Sequence, residues 1–96
     1  MKTIDFEWDD EKNRINKRKH NISFEETSTV FYDEEALVRD DPDHSEDEDR
    51  FLILGFSSAA NMLIVSHCYR GDDEVIRIIS ARKATKKETE QYNSRL

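Results

Sequence analysis

With 96 residues the chain has the length of a single domain, near the lower end at which one core holds a fold without staples. Its lone cysteine, Cys68, excludes an internal disulfide, and three scattered histidines form no zinc spacing, so neither a metal nor a cofactor is implied. The formal net charge is −7, no apolar run approaches the roughly 18 residues of a membrane span, and the polar start MKTIDFEWDD lacks the apolar region of a secretory signal, so a soluble cytoplasmic protein with no membrane partner is expected.

TIDFEW alternates as a short first strand, and Asp9 or Asp10 is placed to accept from the free N–H groups of a following helix, DEKNRINKRKH. That helix should stop at Asn21, which tolerates the left-handed conformation, with its cations near the negative end of the helix dipole. Ser23-Phe24-Glu25-Glu26 has the form of a capping box opening a second helix, on which Phe24, Thr27 or Ser28, and Phe31 share a face. Val38 begins a short strand that runs into RDDPDHSEDED, where Pro42 and the acids predict a surface loop. Arg50 to Ser57 and Met62 to Arg70 read as strands joined by SAAN, RGDDE turns the chain into a last strand from Val75 to Arg82, and Thr85-Lys86-Lys87-Glu88 opens a C-terminal helix carrying Tyr92. The expected order is β-α-α-β-β-β-β-α, an α+β domain with one layer of helices on one face of a twisted antiparallel sheet.

Strict alternation would place Leu63, Val65, His67 and Tyr69 on one face of the fourth strand, and would set Arg77, Ile79 and Ala81 against Ile76, Ile78, Ser80 and Arg82 in the fifth. A charged Arg77 inside an apolar strand needs either an ion pair, with a carboxylate such as Glu7 or Glu26, or a phosphate on an open face.

Charge is laid out in blocks. Residues 12–20 hold five cations and no acid, whereas residues 33–49 hold ten carboxylates against Arg39 alone. Such a basic strip attracts phosphates locally even on an acidic protein, although a solvated helix face explains it equally.

Four blocks in order carry a resemblance: Trp8-Asp9 with Lys12, Asn16 and Lys19-His20; Phe24-Glu25-Glu26; His44-Ser45 ahead of Arg50; and Arg77-Ile78-Ile79-Ser80-Ala81-Arg82. Together they resemble the BrnT family, ribonuclease toxins of bacterial type II toxin–antitoxin operons with a RelE-like fold. Two positions depart from the family pattern: Asn21 stands where glycine is common, and SHCY is unusual in the fourth strand.

The resemblance implies metal-independent RNA cleavage that inhibits translation and growth, in which a ribose 2′-hydroxyl attacks its own adjacent phosphodiester. That reaction needs a proton acceptor, a proton donor and positive charge at the phosphate. Imidazole is the only side-chain type in the strip that exchanges protons near neutrality, which makes His20 a candidate acid or base; a cap on the helix C-terminus is the alternative. Arg50, Arg77 and Arg82 are candidate phosphate clamps, and Tyr69 a stacking or proton-donating group. Lys12, Asn16 and His20 recur at i, i+4 and i+8 with Lys19 and Trp8 close by, as an RNA-facing ridge would; the alternatives are an exposed helix surface or a hydrogen bond tying the helix to the first strand for Lys12 and Asn16, and core packing for Trp8. The implied partner is a BrnA-type ribbon-helix-helix antitoxin, with DNA contacted only through it; Asp33 to Asp49 would either attract its basic residues or only solubilise a surface loop. The competing class is a catalytically inactive binding module that co-regulates the operon with the antitoxin.

Overall fold

The structure is a computed structural model that describes residues 4–41 and 49–94. Pro42 and His44-Ser45 therefore lie outside the described residues. In chain order the elements are β1 (Asp5–Glu7), α1 (Asp10–His20), α2 (Phe24–Ser28), a 3-10 turn (Thr29–Tyr32), β2 (Leu37–Asp40), β3 (Phe51–Phe56), β4 (Met62–Arg70), β5 (Val75–Lys83) and α3 (Lys86–Asn93).

Local signals at the helix ends act as their chemistry requires. Asp9 accepts from the Lys12 N–H at 3.0 Å, and Asn21 closes α1 in the left-handed region at φ 59°, its N–H returning to the Lys17 carbonyl. Thr85 and Glu88 form a complete capping box on α3. The box expected on α2 is only half made. Ser23 accepts from the Glu26 N–H at 3.0 Å, but the Glu26 carboxylate instead takes Ser57 Oγ at 2.6 Å and Asn61 Nδ2 at 2.7 Å, tying α2 to the β3–β4 link.

The five strands lie in the order β1-β5-β4-β3-β2. From β2 to β5 they form the expected antiparallel meander, but β1 pairs parallel with β5, Asp5 opposite Val75 and Glu7 opposite Arg77. The sheet is mixed rather than antiparallel. No hairpin joins β1 to its neighbour, so its direction is set by the crossover through α1 and α2 and leaves no local turn signal.

Helices also occupy both faces, against the expectation of one. On one side Ile22, Phe24 and Val30 pack on Ile53, Leu63, Val65, Ile78 and Ala81, flanked by Phe6, Trp8, Phe31 and Ala36. On the other, Tyr92 of α3 packs on Leu54 and Ile64, with Leu37, Leu52, Met62 and Ala84 around it. β3 passes close under the 3-10 turn at Gly55, where a Cβ would come within 3.0 Å of Ala36 Cβ and of Asp33 Oδ2.

A register shift between β4 and β5 reorders the faces. Ser66 pairs with Ser80, but His67 pairs with Ile78, so Ile79 is the extra residue of a bulge. Ile78 and Ala81 thereby reach the same core although three positions apart. Arg77 and Arg82 both come to the opposite face, across from Cys68 and Ile64 respectively, correcting the face assignment that strict alternation gave.

Candidate active site

α1 carries one apolar residue, Ile15, and it is 48% exposed. The helix docks through two buried amides instead. Asn13 donates to Glu25 Oε1 at 2.9 Å and accepts from the Phe24 N–H at 2.8 Å. Asn16 donates to the Ile22 carbonyl at 2.9 Å and accepts from the Ala81 N–H at 3.1 Å. Because β1 covers only Val75–Arg77, the outer edge of β5 beyond Arg77 is met by Asn16 rather than by a strand. Asn16 is therefore an anchor, and the expected ridge of Lys12, Asn16 and His20 is corrected: Asn16 faces inward between them.

This docking brings the end of α1 to the bulged part of β5. His20, Asp41, Arg50, Leu52, Ile64, Ser66, Ile79, Ser80, Ala81 and Arg82 surround an open cavity of about 310 Å³. His20, Ile79 and Ser80 also border a shallower groove of about 170 Å³ with Lys12, Ile15, Asn16 and Lys19. The exposed ammonium groups of the strip thus lead to the cavity by way of the imidazole. The His20 side chain makes no hydrogen bond to a described residue, and Asn21 supplies the helix stop.

Arg82 is held rigidly. Its Nη1 and Nη2 donate to the two Glu88 carboxylate oxygens at 2.8 and 2.9 Å, and Nη1 also reaches the Lys83 carbonyl at 3.2 Å. The Arg82 hydrogen bonds bring the Glu88 carboxyl down to about 2, against burial, which raises it. On the second clamp, Arg50, the adjoining main chain is fixed by Asp41, whose N–H donates to the Arg50 carbonyl at 2.9 Å.

The remaining candidates lie elsewhere. Arg77 Nη1 pairs with Glu7 Oε2 at 2.5 Å, and Arg70 Nε lies 3.7 Å from the same oxygen. Tyr69 stands on the α1–α2 side of the sheet, its ring 5.4 Å from both Phe51 and His67, beside Asp49 and Asp73. Burial, then the Asp73 charge, pushes its phenol up. Trp8 packs edge-on against Phe24 at 6.1 Å. Ser66, Ser80 and Asp41 line the cavity without having been singled out as site residues in the sequence; the bulge that sets the face of Ser80 has no local signal, and nothing marked Asp41, which lies within the acidic stretch.

Among the described residues no group of three or more His, Cys, Asp or Glu side chains is gathered as metal ligands, and no helix is long and apolar enough to cross a membrane. A cavity lined by two arginines, a histidine, two serines and one aspartate has groups that can hold a phosphodiester and exchange protons with it.

The family model described as ribonuclease toxin, BrnT, of type II toxin-antitoxin system matches residues 8–88. Among solved structures, the chain is similar to the 1.1 Å crystal structure of the Brucella abortus ribonuclease toxin, BrnT, with a TM-score of 0.65 and 23% identity over 88% of this chain and 100% of that one. At that identity the likeness speaks for the fold. A search of curated proteins finds no match.

Proposed function

The chain belongs to the BrnT family of ribonuclease toxins of type II toxin–antitoxin systems, and we propose that it cleaves RNA in the cavity between the end of α1 and the open face of β3–β5. The observation that carries this reading is the convergence of His20, Arg50 and Arg82, drawn from three separated parts of the chain, on one cavity. Arg50 and Arg82 bind the phosphodiester and take up the negative charge that develops on its non-bridging oxygens. The 2′-hydroxyl attacks the adjacent phosphorus, the bond to the 5′-oxygen breaks, and the products are a 2′,3′-cyclic phosphate and a 5′-hydroxyl. His20 carries one of the two proton transfers, from the 2′-hydroxyl or to the 5′-oxygen, and solvent water carries the other. Lys12 and Lys19 attract the strand along the groove. Arg77, Tyr69 and Trp8 serve the fold in this reading, since each is engaged by protein groups outside the cavity.

Guanidinium groups supply the charge that a metal would otherwise bring, so the reaction is metal-independent. In the cell the toxin, RelE-like in architecture and cytoplasmic, inhibits translation and growth until a BrnA-type ribbon-helix-helix antitoxin neutralises it; that partner makes any DNA contact. Purified chain should cut RNA in the presence of EDTA and leave cyclic-phosphate ends, with Arg82→Ala and His20→Ala each slower by about 10²-fold or more. Intact RNA at confirmed folding would overturn the enzyme reading and favour the inactive co-regulator.

A further inference from the structure

We infer that Glu88, in the first turn of α3, positions the Arg82 guanidinium for RNA cleavage and so makes that helix part of the active site; the inference rests on the ribonuclease reading above. Arginine is long and many-jointed, and the Arg82 side chain is 44% exposed, so without a partner it would sample many positions around the cavity. A fork of 2.8 and 2.9 Å from a carboxylate that is only 16% exposed fixes both the place and the plane of the group before substrate arrives. The Glu88 carboxylate is itself fixed by a main-chain donor, the Thr85 N–H at 2.8 Å from Oε1, a contact that does not depend on the Thr85 side chain.

The fork occupies one edge of the guanidinium and leaves the other. One Nη1 hydrogen and one Nη2 hydrogen go to Glu88, and the second Nη1 hydrogen to the Lys83 carbonyl. Nε–H and the second Nη2 hydrogen make no hydrogen bond to a described residue. These two form the side edge that meets a phosphate in parallel. Glu88 thus orients the arginine through one edge while the second stays available to the phosphodiester.

Chemical rescue tests this. Arg82→Ala should lose RNA cleavage, and millimolar guanidinium chloride should restore part of it, because the Glu88 carboxylate can still seat the added ion. Arg82→Ala/Glu88→Ala should show no restoration. Glu88→Ala alone should lower kcat by about 10- to 100-fold with KM little changed, whereas Thr85→Ala, which weakens the helix cap and keeps the carboxylate, should lower Tm and retain most of the cleavage. Equal rescue of the double variant, or a Thr85→Ala loss matching that of Glu88→Ala, would reduce Glu88 to a cap. The Arg82 Nε–H resonance provides a reading that needs no cleavage. It should be sharp in the native chain, shift on adding a non-cleavable 2′-deoxy oligonucleotide, and broaden in Glu88→Ala. A native chain that cuts no RNA yet shows these changes would overturn the ribonuclease reading while retaining the positioning; a resonance indifferent to Glu88→Ala would overturn the positioning itself.

Discussion

At the scale of the residue, His20 and Asn21 divide the end of α1 between the cavity wall and the helix stop. Asn21 takes the left-handed helix stop, so the imidazole turns to the cavity wall instead of closing the helix. His20→Ala should lower the cleavage rate by roughly 10²- to 10⁴-fold and change the shape of the pH–rate profile, with Tm almost unchanged. A profile of unchanged shape together with a lowered Tm would make it a structural group. Lys12 and Lys19 act differently, as exposed point charges. Lys12→Ala and Lys19→Ala should each weaken RNA binding and reduce its log–log salt dependence by about 0.7 for every single-strand phosphate no longer neutralised, which titration at several salt concentrations measures. Arg77 is a contrasting case: the charge that looked anomalous in an apolar strand is matched by Glu7 across the β1–β5 ladder. With both side chains partly exposed, that pair contributes no more than about 1 kcal/mol.

At the scale of the element, α1 is a polar helix that holds its place by hydrogen bonds rather than by an apolar stripe. Asn16→Ala would leave the buried Ile22 carbonyl and Ala81 N–H without their partner, at about 1–3 kcal/mol for each group left unsatisfied. The same change should loosen α1 from β5 and displace His20, so cleavage should fall together with Tm. Leucine at this position would separate the effects: if packing rather than hydrogen bonding held α1, Asn16→Leu would restore Tm. A second polar anchor, Asp33, ties the turn ahead of β2 to the end of β3 and to α3. Burial pushes its carboxyl up, but hydrogen bonds from the Phe56 and Glu35 N–H groups and the Tyr92 hydroxyl outweigh that and hold it below the usual range. Asp33 is thus committed to the fold.

At the scale of the whole molecule, two groups make the fold sensitive to acid over different ranges. His67 is fully buried against Phe31, its ring centroids 4.8 Å apart; Nδ1 donates to the Val65 carbonyl at 3.3 Å, and Nε2 has no hydrogen-bond partner among the described residues. Burial lowers its pKa below the ordinary 6.5. The unfolded chain therefore binds the proton more readily, so stability from this site is full above the unfolded value and declines as pH falls below it. His67→Phe should flatten the Tm curve between about pH 7 and pH 5, the window set by histidine's usual titration; curves that stay parallel would show that another group governs the loss. Glu88 acts lower. With its carboxyl held at about 2 in the fold against 4.5 otherwise, its stabilisation is present above 4.5 and disappears as pH falls through about 2. Solvent around the half-exposed Arg82 limits that contribution to about 1–2 kcal/mol.

The α+β class, a cap at Asp9 or Asp10, the stop at Asn21, the box at Thr85, the meander of the last four strands and the family were all legible along the chain, because each rests on neighbours within a few residues or on motifs kept in order. Tertiary structure decided what long-range pairing alone specifies. The parallel seat of β1 beside β5, the placement of α3 on the second face, and the bulge at Ile79 have no local signal, and a one-residue shift in register reverses every side chain beyond it. That shift brings Arg82 to the cavity with Arg50 and His20, three residues marked as candidates along the chain, whereas Ser66, Ser80 and Asp41 join them only in the fold. It also separates candidates that looked alike along the chain: Arg77 and Arg82 share a strand and a face, but Arg77 reaches Glu7 beneath β1, while Arg82 lies where β1 has ended and a cavity begins.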